Sequence, residues 1–297
     1  MTVATHTTEV SMDWVNHTLF PFPVKEFATS VGVMRYVDIG HGPVVLFAHG
    51  TPTWSLVWRH AMAKLASHYR VIAVDHLGFG QSDKPADADY SLAGHAQRWS
   101  AFIDHLLLRE ITLVVHDFGG PIALNDVQQR PGLYHKLVLL NTFLWPFADE
   151  FRIPRSAQFL QGRIGAYLYL HHNLSPRWLI PAVFANRQHL TPTLHAQYVA
   201  PFADASQRQA MWAFVHELSP DNPWLAARWA QRDRLTKLPT LILWGTRDPV
   251  FPSRFLQRWQ QLFKQAQICT YHDAGHFVQE EASLDYVKQI EWFLLQD

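Results

Sequence analysis

Four short apolar runs without polar alternation constrain what this chain can become: Arg70–Asp75 (RVIAVD), Ile111–His116 (ITLVVH), Lys136–Asn141 (KLVLLN) and Thr240–Trp244 (TLILW). Runs of this length, rich in β-branched residues, suit strands buried on both faces, which requires a parallel sheet between helices. Ile268–Tyr271 reads as a further strand. Residues 33–39 and 43–48 read as two more, joined through Gly40-His41-Gly42 as an antiparallel hairpin. Helical spacing falls between the strands. Leu92, Ala96, Trp99, Ile103, Leu106 and Leu107 share one face of 92–108, and Leu284, Val287, Ile290 and Leu294 share one face of 284–294. The alternation predicts a doubly wound, mostly parallel α/β sheet.

One stretch interrupts the alternation. From Thr142 to Leu235 no buried-strand run occurs, Trp, Tyr and Pro are dense, and helices are expected over Ser156–Tyr169, Thr193–Ala200 and Ser206–Leu218. So long an insertion between two core strands is no loop. It is expected to be a helical cap, residues 142–235, over a core of 1–141 and 236–297.

Composition removes several function classes. Twenty-five basic and 25 acidic side chains cancel, and no basic run is present, which argues against a nucleic-acid partner. Hydrophobic residues at 48% against 17% charged exclude a disordered chain. No apolar stretch is long enough to span a bilayer, so no membrane partner is expected. The segment Met1–Asn16 has acids but no Lys or Arg, unlike a secretory leader. A single cysteine, Cys269, suits the reducing cytoplasm. The expectation is a monomer or small homo-oligomer without cofactor or metal.

Ligands of open α/β sheets bind outside the carboxyl ends of the strands. After the strand at 111–115 comes His116-Asp117-Phe118-Gly119-Gly120, a strand–turn–helix with small residues on its far side, the shape of a nucleophile elbow with Asp at its apex. Asp117 also reads as a helix N-cap or as a metal ligand. Asp248, in Gly245-Thr246-Arg247-Asp248-Pro249, reads as an orienting acid or as a turn residue. His276 follows a glycine in the last post-strand loop, with His272 the plainer candidate at a strand end. Together 117, 248 and 276 stand in the order nucleophile, acid, histidine of an α/β-hydrolase. His49-Gly50-Thr51-Pro52 suits an oxyanion hole built from the backbone N–H groups of Thr51 and Phe118. A metal site from His49, His76, His116 and His276 lacks the usual ligand spacing.

Five stretches, HGTPTWS (49–55), VDHLGFGQSDKP (74–85), VHDFGGPIA (115–123), WGTRDPVF (244–251) and DAGHFVQEE (273–281), resemble the haloalkane dehalogenases among the α/β-hydrolases. The resemblance implies Asp117 as nucleophile, His276 as base and Asp248 as acid. Asn141 stands where some members carry the acid. An Asp nucleophile fits attack on an sp³ carbon, because the resulting alkyl ester can be hydrolysed whereas a serine ether could not. By the resemblance a Trp follows the nucleophile and its indole N–H holds the departing halide. Here that residue is Phe118, which has no donor, and Thr51 stands where Asn or Glu is common. Trp145 is the first candidate to compensate, then Trp178 and Trp212. Epoxide opening would call on cap tyrosines such as Tyr167, Tyr169 or Tyr198, a β-lactone is also open to an Asp nucleophile, and a ligand-binding protein on the same fold with little turnover is a further alternative.

Overall fold

The computed structural model describes residues 12–150, 152–282 and 284–296. Residues 1–11, most of the segment read against a secretory leader, lie outside them. Eight strands form one sheet: β1 (Lys25–Thr29), β2 (Gly32–Ile39), β3 (Val44–Ala48), β4 (Arg70–Val74), β5 (Ile111–Asp117), β6 (Tyr134–Thr142), β7 (Thr240–Gly245) and β8 (Gln267–Tyr271). Their spatial order is β1-β2-β4-β3-β5-β6-β7-β8. β1 and β2 are antiparallel at one edge, and every pairing from β4 to β8 is parallel.

The hairpin expected between 33–39 and 43–48 does not form. β2 pairs with β1 and β4, whereas β3 lies between β4 and β5. The reason is burial. Val45, Leu46, Phe47 and Ala48 are all fully buried and need cover on both faces, which only the middle of the sheet supplies. Gly40 and Gly42, both at positive φ, then carry the chain across β4 instead of turning it back.

Along β5 and β6, alternate side chains enter two separate cores. Leu113, Val115, Leu137 and Leu139 face one, and Val114, Val138 and Leu140 face the other. That is why these runs show no polar alternation. The first core is closed by α2 (Leu92–His105), α3 (Gly119–Gln129) and α10 (Ser253–Leu262); the second by α1 (Arg59–Leu65), α11 (Val278–Glu281) and α12 (Asp285–Leu294). Ser91 caps α2 by accepting the Gly94 N–H at 3.1 Å.

Between β6 and β7 the chain is helical: α4 (Arg152–Gln161), α5 (Arg163–His171), α6 (Ile180–Val183), α7 (Pro192–Val199), α8 (Gln209–Glu217) and α9 (Pro223–Ala230). The helix expected at 156–169 is two helices, because Gly162 separates α4 from α5.

Candidate active site

The carboxyl ends of β3, β5, β6, β7 and the loop after β8 converge on one point. Asp117 ends β5 with φ of 51°, a left-handed conformation that non-glycine residues adopt at some cost. The turn is tight enough that a Cβ at Gly119 would overlap the Ala48 carbonyl, and one at Gly50 would overlap the Asp117 carboxylate. Both neighbours must therefore be glycine for the elbow to close.

Asp117 Oδ1 accepts the Thr51 N–H at 2.8 Å, and the carboxylate also accepts the Phe118 N–H. Oδ2 lies 3.6 Å from His276 Nε2. On the other side of the ring, His276 Nδ1–H donates to Asp248 Oδ2 at 2.8 Å. All three side chains are about 4% exposed or less. Burial raises the Asp117 pKa, against the charge of His276 and the two N–H donors. Burial opposes the imidazolium of His276, but the charge and hydrogen bond of Asp248, then Asp117 and Glu281, outweigh it and hold its pKa above the ordinary value.

Asn141 contributes what its residue type allows. Its Nδ2 donates to Asp248 Oδ2 at 2.8 Å, while its Oδ1 accepts the Gly245 N–H at 2.9 Å. Val250 N–H reaches Asp248 Oδ1 at 2.7 Å. The buried Asp248 carboxylate thus has three donors fixing it.

The backbone of His276 is also held. Its carbonyl accepts His116 Nε2–H at 2.9 Å, and its N–H donates to the Val183 carbonyl at 3.1 Å. Glu281 accepts the Gly275 N–H at 2.8 Å and the Asn186 N–H at 2.7 Å, tying the histidine loop to the segment after α6. Sequence reasoning did not assign the bracing roles of His116, Glu281 and Asn141. A signal for Glu281 was present in DAGHFVQEE, where it follows His276 by five residues.

His49 is structural, as its turn position suggested. Its Nε2 accepts the His76 N–H at 3.0 Å, its Nδ1–H donates to the Gly50 carbonyl at 2.7 Å, and burial pushes its pKa down to about 4. Among the described residues no cluster of three His, Cys, Asp or Glu is spaced to hold a metal ion.

The leaving-group candidates divide. Thr51 Oγ1 is buried with no partner among the described residues, beside Asp117. Phe118 stacks face to face on Phe214 of α8, with centroids 4.4 Å apart and planes at 3°, and meets Phe143 edge-on. The structure does not bring Trp145 to this point. Its ring packs on Trp229, Phe255 and Trp259 beneath the Arg258 guanidinium, because β6 hands the chain toward α10 before α4 begins. Trp178 is 65% exposed, and Trp212 packs on His216. Of the three tyrosines, Tyr167 is exposed and Tyr198 donates to Glu280. Tyr169 is buried, and burial raises its pKa to about 12, with the Asp117 charge adding to the rise.

Comparison with known proteins shows the family and the fold. Residues 43–283 match the model of the alpha/beta hydrolase fold. A haloalkane dehalogenase 2 of Mycobacterium bovis is 33% identical over 89% of this chain and 92% of its own. A cis-3-alkyl-4-alkyloxetan-2-one decarboxylase of Shewanella oneidensis is 31% identical over 94% and 90%. The crystal structure of haloalkane dehalogenase DatA from Agrobacterium tumefaciens is 26% identical, covers 94% of this chain and 99% of its own, and superposes with a TM-score of 0.84.

Proposed function

The chain belongs to the alpha/beta-hydrolase family that includes the haloalkane dehalogenases, and from that premise we propose that it cleaves a carbon–halogen bond in a small apolar substrate through an alkyl ester on Asp117. The observation that carries this reading is the division between the two Asp117 oxygens. Oδ1 sits on the Thr51 N–H, and Oδ2 is turned toward His276.

In the first step Oδ2 attacks the sp³ carbon; the C–O bond forms, the carbon–halogen bond breaks and the halide leaves with the bonding pair. In the second, neutral His276 takes a proton from water and the hydroxide adds to Cγ of the ester. The negative charge that develops on Oδ1 is met by the Thr51 and Phe118 N–H groups. Collapse breaks the bond between Cγ and the alkyl oxygen, and the alcohol takes its proton from His276. The restored Asp117 loses its own proton to solvent. Asp248 holds the His276 tautomer and balances the imidazolium charge. Thr51 Oγ1 and the Tyr169 hydroxyl are the donors assigned to the leaving group.

In this reading 142–235 is a cap over the core, closing on an aromatic cluster of Phe118, Phe143, Phe214 and Phe251. The single Cys269 supports a cytoplasmic location, and a monomer or small homo-oligomer is the assembly proposed.

A second reading, β-lactone opening by the same residues, is favoured by Phe118. With no side-chain N–H on the residue after the nucleophile, a leaving group that needs little holding is suited, and a lactone carboxylate stays attached to the alkyl group as the ring C–O bond breaks. The Shewanella relative is named for such a ring.

Single turnover in ¹⁸O-water with a panel of bromoalkanes, terminal epoxides and a β-lactone tests the proposal. Bromide release with unlabelled oxygen in the first alcohol formed is expected, since that oxygen comes from Asp117. Labelled alcohol in the first turnover would overturn the ester route, and turnover of the lactone alone would transfer the assignment to the second reading.

A further inference from the structure

Of the eleven large apolar side chains exposed among the described residues, five fall within 21 residues of the cap: Phe159, Ile164, Tyr167, Trp178 and Leu179. Ile164 is 69% exposed and Trp178 65%. They lie on α4, α5 and the helical turn Ser175–Leu179. On α5, Arg163, Ile164, Tyr167 and His171 are exposed at a spacing that makes one outward stripe, while Gly165 and Tyr169 face inward.

The charge of this region is as uneven as its polarity. Residues 151–203 hold five arginines, Arg152, Arg155, Arg163, Arg177 and Arg187, with no Lys, Asp or Glu. All five are exposed. Since the whole chain is neutral, the remainder carries 25 acids against 20 bases. The nearest acids along the chain are committed elsewhere: Asp149 and Glu150 pair with Arg258 and Arg254, and Asp204 caps the turn that follows it; Glu281, which reaches the segment in space, accepts the Asn186 and Gly275 N–H groups. Among the described residues neither Arg163 nor Arg177 forms an ion pair.

We propose that this outer face of the cap docks on an anionic phospholipid surface. Trp and Tyr rings favour the headgroup level, arginine stems lie along apolar surface with their guanidinium groups reaching phosphate, and acid-free basic helices with exposed apolar residues bind in the plane of the interface. No helix among the described residues is long and apolar enough to cross a membrane, so the contact is peripheral. The absence of a membrane partner expected from the sequence rested on spans, which a contact of this kind does not need. The same helix α5 carries Tyr169 toward Asp117 on its inner side, so docking would set the cap against the reservoir in which apolar substrates dissolve.

Flotation with phosphatidylcholine vesicles, with and without phosphatidylglycerol, tests the docking independently of any activity. The protein should float with the anionic vesicles and bind the zwitterionic ones about tenfold more weakly or less. Reversing Arg163 and Arg177 to Glu should lower partitioning by about 25-fold or more, as each arginine at such a surface contributes roughly fivefold. Trp178→Ser should weaken it as well, with an unchanged melting temperature. Flotation on neither vesicle, or equal flotation on both, would overturn the proposal. A dimer in solution that Trp178→Ser dissolves would overturn it too, by assigning the patch to a second copy of the chain.

Discussion

Moving the acid from Asp248 to position 141 tests the site's wiring. Asp248→Asn removes the charge hydrogen-bonded to His276 Nδ1 at 2.8 Å and allows the wrong tautomer, which should lower kcat by about 10⁴-fold. Asn141 Nδ2 lies 2.8 Å from the same Asp248 oxygen. In the double variant Asn141→Asp/Asp248→Asn, a carboxylate therefore returns one hydrogen bond further out, roughly 5 Å from Nδ1, and an effective dielectric of about 20 gives attractions of about 6 kcal/mol for the native placement and about 3 kcal/mol for the moved one. The new carboxylate also keeps an acceptor for the Gly245 N–H. Relative to the single variant, about 3 kcal/mol returned corresponds to a gain of roughly a hundredfold. The assay is burst and steady-state product release for the wild type, both single variants and the double. Equal inactivity of the double and of Asp248→Asn, with both folded by circular dichroism, would refute the claim that position 141 shares the acid's place.

Three further outcomes follow from the same geometry. Because His276 must be neutral to deprotonate water and its pKa is held above 6.5 by Asp248, ester hydrolysis should fall as pH drops with a midpoint above 6.5 and be level on the alkaline side; a midpoint below about 6 in single-turnover pH profiles would contradict this. Phe118→Trp with Phe214→Leu should raise the rate of carbon–halogen cleavage about ten- to a hundredfold, since a hydrogen bond to an anion is worth roughly 1.5–3 kcal/mol, whereas Phe118→Trp alone overfills the 4.4 Å stack and should lower the melting temperature. Glu281→Gln replaces one of two accepting oxygens by a donor facing an N–H and removes a charge that supports the imidazolium; kcat should fall with KM little changed and the acid limb should move to lower pH, a shift that mere loosening of the segment after α6 would not produce.

How much of this was legible in the sequence depends on the range of the interaction. The runs at 111–116, 136–141 and 240–244 announced central strands because each lies between two apolar cores, and burial on both faces is written in consecutive residues. The elbow was legible for the same local reason: Asp117, Gly119 and Gly120 are neighbours in the chain. Pairing was not. Gly40 and Gly42 signal a change of direction without naming the strand that comes next, so β3 was given the wrong neighbour. β1, only five residues with one buried, gave too short a pattern to register. Asn141 stands at the acid's alternative place but is no acid itself; its bond to Asp248 depends on the parallel pairing of β6 and β7, which no local signal carries. Trp145 was placed near the site by its closeness in sequence to Asn141, and four residues of chain suffice to carry it into the Trp229–Trp259 cluster.

The central claim is that Asp117 becomes alkylated and that His276 is needed only to release it. Intact mass spectrometry of His276→Phe protein after exposure to a bromoalkane measures this directly. The account predicts a stable mass increase equal to the alkyl group, mapped by peptide digestion to Asp117, one bromide released per chain, and no adduct in Asp117→Asn. Bromide released catalytically without an adduct, or an adduct on any other residue, would contradict it.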